Sequence, residues 1–342
     1  PIDFTIAMAR IQAQLTTLQA SRQERKQAVH QTMHAYTQQA LQTRHQQRIQ
    51  APVPSQKFTD TKIGAPVSNR YQMIRLFKKD ALSQTFVAED IQESTLCLLQ
   101  RIRFSPEVAK SFGQIHQLFQ SEIKLLEQLS QFYQNQIPRF LNFFTEAQDF
   151  YLVQEFRKGF LLSDELEKSG PLPPLEVLDL TISILRVLKS IHYRKLIHSD
   201  IQPCHLLQCQ DNRKLIILTD FGIANRIFMQ LRQDFSYQGQ KIFKLSGYTA
   251  PEQCAGQLTF SSDLYAVGMI ALQALTGKKP ETFTIDANTG ELNWQQFIQL
   301  DPDLSQFLAQ LVCQNHQKRF ASVNTAIRDA LFRRHALYQK GS

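Results

Sequence analysis

The apolar residues of the first fifty positions recur at helical spacing. They follow one another at intervals of four and three residues, as in Phe4, Met8, Ile11, Leu15 and Leu18. This is the period of one helix face, and residues 2–50 contain neither glycine nor proline. The pattern predicts a helical, coiled-coil-like module over residues 1–50. Its apolar stripe could pack on the rest of the chain, dimerise or bind a partner helix.

The pattern changes after residue 50. The stretch "APVPSQKFTDTKIGAPVS", residues 51–68, has three prolines and reads as a linker. Short β-like runs follow, "YQMIRLF", "QTFVAED", "TLCLLQRIRF", "FLNFFTE" and "FYLVQEF", with one helical stretch between the third and the fourth. From about residue 174 the chain is mostly helical. Strands followed by helices predict an α+β body, with a first lobe over 69–155 and a second over 156–338.

Composition narrows the class of protein. The net charge is +8, but no nucleic-acid motif accompanies it, so nucleic acid is not an expected partner. No apolar run reaches the roughly 18 residues of a membrane span, and no signal peptide is evident. Five cysteines in 342 residues fit a reducing compartment. The sequence therefore predicts a cytoplasmic protein without a membrane span.

Five motifs occur in order along the second half of the chain: "HSDIQPCHLL", "LTDFGIA", "GYTAPEQ", "SSDLYAVG" and "KRF". They resemble the catalytic loop, the DFG and APE motifs, the αF aspartate and the terminal arginine of Hanks-type Ser/Thr protein kinases, particularly cyanobacterial ones. The resemblance covers residues from about 69 to 335. It implies a two-lobed protein-kinase-like fold, with a small antiparallel β lobe carrying the αC helix and a larger helical lobe, here preceded by the N-terminal helical segment.

The resemblance also implies catalytic residues, some of which are replaced. Asp200 matches the catalytic base, Asp220 the DFG metal ligand and Glu122 the αC glutamate. Gln202 stands in place of the catalytic-loop lysine. Gln100 takes the place of the β3 lysine that anchors the α- and β-phosphates. From these losses we expect a remnant site without the usual positive charges.

The implied nucleotide and metal sites are degenerate as well. His205 replaces the asparagine that holds the second Mg²⁺, and a neutral imidazole prefers softer metals. The three glycine positions of the phosphate loop fall on Lys78, Asp80 and Ser83. The residues expected to line the remaining pocket are Leu98, Leu207 and Gln154, with leucine replacing a small alanine at position 98. We therefore expect weak or no binding of ATP and Mg²⁺, hence no cofactor.

The positions that hold the kinase architecture together are retained. The structural residues implied by the resemblance are His198, Phe221 and Leu126 of the apolar spine, Asp263 of helix αF, and the buried pair Glu252 and Arg319. Cys204, His205 and Cys209 also lie close together, but their spacing is not that of a recognised zinc site.

A preserved scaffold with an eroded active site predicts a pseudokinase, not an enzyme. It would act as a non-catalytic scaffold or allosteric regulator that binds a protein partner through residues 1–50 and the helical lobe, or pairs with a second copy of itself. The alternative is an unorthodox ATP-dependent protein kinase, in which Lys78 or Lys79 supplies the missing β3 lysine. A nucleotide-sensing module without transfer, or a basic adaptor on nucleic acid or lipid, are further alternatives.

Overall fold

A computed structural model of the chain describes residues 64, 66–79, 83–104, 112–212, 215–223, 226–227 and 246–340. The predicted module over 1–50 and nearly all of the linker lie outside these residues, and so does Asp80. The described residues up to His335 belong to one compact unit.

The first lobe is a five-stranded antiparallel sheet with one helix. Its elements are β1 (Tyr71–Lys79), β2 (Ser83–Asp90), β3 (Thr95–Ile102), α1 (Phe112–Phe132), β4 (Phe140–Glu146) and β5 (Asp149–Glu155). The strands lie in the order β1-β2-β3-β5-β4. Helix α1 buries an apolar stripe at helical spacing, and its Phe119 stacks on Phe150 of β5 at 4.5 Å between ring centroids. Helix α1 and the sheet thus share one aromatic core.

The register of the sheet sets which side chains share its inner face. Lys78 of β1 is opposite Thr85 of β2, and Thr85 is opposite Gln100 of β3. The pairing of β1 with β2 shifts by one residue between Leu76 and Lys78. Without that bulge, simple alternation would place Phe77 opposite Thr85, because a one-residue slip exchanges the two faces of a strand. The bulge therefore brings Lys78 into the row that contains Gln100.

The second lobe is helical. Its helices are α2 (Leu162–Ser169), α3 (Pro174–Tyr193), α4 (Pro251–Cys254), α5 (Phe260–Thr276), α6 (Pro302–Leu311) and α7 (Val323–Lys340). A small sheet of β6 (Gly159–Leu161), β7 (Leu206–Cys209) and β8 (Ile216–Leu218) lies in the order β6-β7-β8. Helix α5 is buried on almost every side, as expected of a central core helix. The predicted two-lobed α+β fold is confirmed.

Among the described residues, no helix is both long and apolar enough to cross a membrane.

Candidate active site

Asp220 lies two residues after β8 of the second lobe, where side chains of the first lobe reach it. Its Oδ2 accepts hydrogen bonds from Lys78 Nζ at 2.7 Å and from Gln100 Nε2 at 2.9 Å. Its Oδ1 accepts one from the backbone N–H of Gly222 at 3.0 Å. Burial alone would raise the pKa of Asp220, but the charges of Lys78 and His205 hold it well below its ordinary value. Asp220 is therefore a buried, ionised carboxylate.

The structure distinguishes the two lysines that the sequence left as alternatives. The Lys78 side chain is only 6% exposed and forms a buried ion pair with Asp220. Lys79, the last residue of β1, is exposed. The cation missing at Gln100 is thus supplied from two strands away, because the side chains of Lys78 and Gln100 meet at the same oxygen of Asp220.

The catalytic-loop residues form a hydrogen-bonded group next to Asp220. Gln202 Nε2 donates to Asp200 Oδ1 at 3.0 Å. The Nδ1 of His205 is 2.7 Å from the backbone oxygen of Asp200, and its Nε2 is 3.9 Å from Asp220 Oδ2. Burial and Lys78 lower the pKa of His205, but the Asp200 and Asp220 carboxylates outweigh them and raise it above the ordinary value. Gln202 and His205, which replace the lysine and the asparagine of the family, are therefore both hydrogen-bonded to Asp200.

Glu122 of α1 is held by a residue that sequence reasoning missed. Its carboxylate accepts from Arg226 Nη2 at 2.6 Å, and not from Gln100, whose amide donates to Ser83 and Asp220. Arg226 Nη1 also donates to the backbone oxygens of His198 at 3.1 Å and Phe221 at 2.5 Å. The sequence marks Arg226 only as a basic residue six positions after Asp220. No pattern in the sequence connects it with a helix a hundred residues earlier.

We expect Arg226→Gln to lower the free energy of unfolding by about 1.5–3 kcal/mol, the usual value for hydrogen bonds to charged groups. The change removes the guanidinium from Glu122 and from the backbone oxygens of Ile197, His198 and Phe221. Arg226→Lys keeps the charge but not the planar fork, so it should lose an intermediate amount. Urea unfolding of the purified chain measures both.

The matched control for that experiment is Arg157→Gln. Arg157 is 3.4 Å from Glu155 in a partly exposed pair, which is worth under about 1 kcal/mol. Equal stability of Arg226→Gln and wild type would show that Arg226 does not couple α1 to the catalytic loop.

The pocket residues expected from the sequence lie on β5, β3 and β7. Leu98 of β3 is directly opposite Gln154 of β5, and both are buried. Leu207 packs with Leu161 and Ile217, and Phe77 of β1 lies against that cluster. The Gln154 Nε2 is buried and has no hydrogen-bond partner within the described residues. A buried donor without a partner costs free energy, so the spare amide donor of Gln154 favours a ligand that offers it an acceptor.

The expected structural residues hold the catalytic loop to the core. The carboxylate of Asp263 accepts from the backbone N–H groups of His198 and Ser199, each at 2.9 Å. His198 Nε2 bonds to the backbone oxygen of Asp220. Burial lowers the pKa of His198 to about 4, so the ring is neutral. The ring centroid of Phe221 is 5.6 Å from that of His198. Phe221 and Leu126 line one small cavity beneath α1. The residues that lead into Asp200 are therefore fixed by Asp263 and by the backbone of Asp220.

Comparison with known proteins agrees with this geometry. Residues 103–332 match the model of the family described as protein kinase domain. The chain belongs to the protein kinase domain family. It is 33% identical to serine/threonine-protein kinase C of Synechocystis over 75% of its length, and 31% identical to serine/threonine-protein kinase B of Synechocystis over 78%. It spans only about half the length of these relatives, 48% and 46%.

A solved structure shows the same fold. The crystal structure of Rad53 1–466 in complex with AMP-PNP superimposes with a TM-score of 0.56, covering 77% of this chain and 65% of that chain at 18% identity.

Two predictions made from the sequence are wrong. The expectation that this family member is not an enzyme is contradicted by relatives that are named kinases and by the Lys78–Asp220 ion pair, which restores a cation to the site. The expectation that it has no cofactor is contradicted by the same relatives and by the AMP-PNP bound to Rad53. The first error gave more weight to the missing lysine at Gln100 than to Lys78, which reaches the site from another strand.

Proposed function

We propose that this chain is an ATP-dependent protein kinase in which Lys78 replaces the missing lysine of β3. The observation that carries the proposal is the convergence of Lys78 Nζ and Gln100 Nε2 on one oxygen of Asp220, at 2.7 and 2.9 Å. Gln100 keeps the hydrogen-bonding role of its position, and Lys78 adds the charge. The two residues together bring a hydrogen-bond donor and a positive charge to the place of the missing lysine, while Glu122 pairs with Arg226 instead.

The remaining residues have roles that their positions support. When bound, ATP with its divalent cation supplies the phosphoryl group and neutralises charge. Asp220 and His205 would hold the cation, and Gln154, Leu98 and Leu207 would contact the base. Asp200 has a side chain 16% exposed, so it can accept a proton from a hydroxyl group at the cleft. Gln202, on Asp200 Oδ1, orients that carboxylate.

The acceptor we propose is a serine or threonine hydroxyl of a protein, because the relatives are named serine/threonine-protein kinases. The protein would work in the cytoplasm. Residues 1–50 are proposed to bind a protein partner or a second copy of the chain, and nucleic acid is not proposed as a partner.

The test is transfer of phosphate from γ-labelled ATP to a general protein acceptor or to the chain itself. The proposal expects transfer by wild type and a loss of about 10²-fold in Asp200→Asn, since a general base contributes at least that much. Asp211→Asn is the matched control and should transfer normally, because it alters an exposed residue beyond β7. Absence of transfer by wild type with either Mg²⁺ or Mn²⁺ would contradict the proposal.

A further inference from the structure

Phe77 of β1, in the first lobe, packs on an apolar row of the second lobe. The row consists of Leu161, Leu207 and Ile217, one residue from each strand of the small sheet, and these residues pair directly across the strands. All three are buried. Phe77, which is itself partly exposed, packs against them. A side chain of the first lobe therefore helps to cover the apolar row.

The β-bulge in β1 accounts for the position of Phe77. The pairing of β1 with β2 passes from Leu76 to Lys78, so Phe77 is the extra residue, without an opposite residue in β2. Lys78, the next residue, forms its ion pair with Asp220 of the second lobe. Two consecutive side chains of β1 thus contact the second lobe, which strict alternation along a strand would not allow. The end of β1 is held against the second lobe at two points.

The apolar row includes a residue that is proposed to contact the nucleotide base. That residue is Leu207, and Phe77 packs against the row to which it belongs. A phenyl ring and a purine base are both flat rings with apolar faces, so one surface of Leu207 cannot contact both at once. Arg75 holds the phenyl ring from within β1, since its guanidinium carbon is 5.8 Å from the Phe77 ring centroid, a cation–π distance. Phe77 therefore lies where it competes with a base.

We propose that Phe77 forms an autoinhibitory contact: its ring takes the place of the nucleotide base on the apolar row and must leave before a nucleotide binds. The inference rests on the proposed function and concerns the regulation of its nucleotide site. When only a fraction of the molecules has an open site, the apparent affinity for the ligand falls by that fraction. The chain therefore binds nucleotide more weakly than its base site would if Phe77 were absent.

The experiment is calorimetric titration of the full chain with adenosine and, separately, with AMP-PNP and Mg²⁺. Adenosine has no phosphate groups, so it reports on the base site without attraction between phosphate and the Lys78 charge. We expect Phe77→Ala to bind both ligands about tenfold more tightly than wild type. The reason is that displacing a partly buried phenyl ring costs about 1.4 kcal/mol, which is a factor of ten in affinity.

Two further variants separate the ring from a general loosening of β1. Leu76→Ala is the matched control, because it truncates the neighbouring apolar residue, which is exposed. It should bind both ligands like wild type. Phe77→Leu keeps an apolar side chain on the row but loses the flat ring, so it should gain less affinity than Phe77→Ala. This variant also tests the inference if urea unfolding shows that Phe77→Ala does not fold.

The outcomes distinguish this inference from the function on which it rests. Equal or weaker binding by the Phe77 variants, or an equal gain in Leu76→Ala, would overturn the autoinhibitory contact and leave the proposed kinase standing. Tighter binding by Phe77→Ala in a chain that transfers no phosphate would support the contact and contradict the kinase. No binding of either ligand by any of these proteins would overturn both.

Discussion

Replacing Lys78 by methionine should lower phosphate transfer by roughly 10²–10³-fold, the usual loss when one electrostatic contact to the transition state is removed. Lys78 is the cation that the structure places on Asp220, with its side chain buried. Lys79→Met is the matched control, because the same chemical change falls on an exposed residue of the same strand. It should retain most of the activity. Initial rates with saturating acceptor measure both variants.

A second variant tests whether the charge, rather than the residue, is required. Gln100→Lys in the Lys78→Met background returns the cation to β3, where its side chain faces Asp220 as Gln100 does now. We expect this double variant to recover a substantial part of the lost rate. Recovery would also show that Lys78→Met had not simply failed to fold. A variant Lys79→Met that loses activity while Lys78→Met keeps it would contradict the assignment.

The fold was predictable because its signals are local and redundant. The β-like runs "QTFVAED" and "TLCLLQRIRF" give β2 and β3 within two residues of their bounds. Five motifs in register then fix the helical lobe. Each motif would be weak alone, but their order and spacing leave few folds that could satisfy them all.

The active site was only partly predictable, because two of its contacts depend on tertiary geometry. The bulge before Lys78 decides which face that side chain takes, and alternation along the sequence cannot show a bulge. The pair between Arg226 and Glu122 joins residues 104 positions apart. The wrong prediction of a non-enzyme followed from the first of these. The replacement of lysine by Gln100 was interpreted as the loss of a positive charge from the site, but Lys78 supplies that charge.

Arg319→Met should lower the free energy of unfolding by about 3–5 kcal/mol, the usual cost of leaving one charge of a buried pair unpaired. The Arg319 side chain is fully buried. Its Nη1 and Nη2 donate to the two carboxylate oxygens of Glu252 at 2.7 and 2.9 Å, and its Nε donates to the backbone oxygen of Cys313 at 2.7 Å. Arg139→Met is the control, since Arg139 is 3.7 Å from Glu155 and exposed. That variant should change by under about 1 kcal/mol.

The pH dependence identifies the unpaired carboxylate as the cause. Burial alone would raise the pKa of Glu252, but hydrogen bonds from Arg319 and Ser262 lower it below the ordinary value of 4.5. In wild type this group therefore contributes stability that is present at neutral pH and lost as the pH falls through its lowered pKa. Without Arg319, burial dominates and the pKa rises. The stability difference between wild type and Arg319→Met should then be largest at pH 7 and shrink toward pH 4.

A companion variant removes the charge altogether. Glu252→Leu combined with Arg319→Met leaves no buried ion, and double replacement of a buried pair by apolar residues is often close to neutral. We expect the double variant to be more stable than Arg319→Met at pH 7, and the gap between them to narrow at acid pH, where Glu252 is protonated. Urea unfolding between pH 4 and pH 7 measures all three proteins. If the loss in Arg319→Met did not vary with pH, lost packing on Tyr265, whose ring centroid is 4.7 Å from the guanidinium carbon, would be the cause instead.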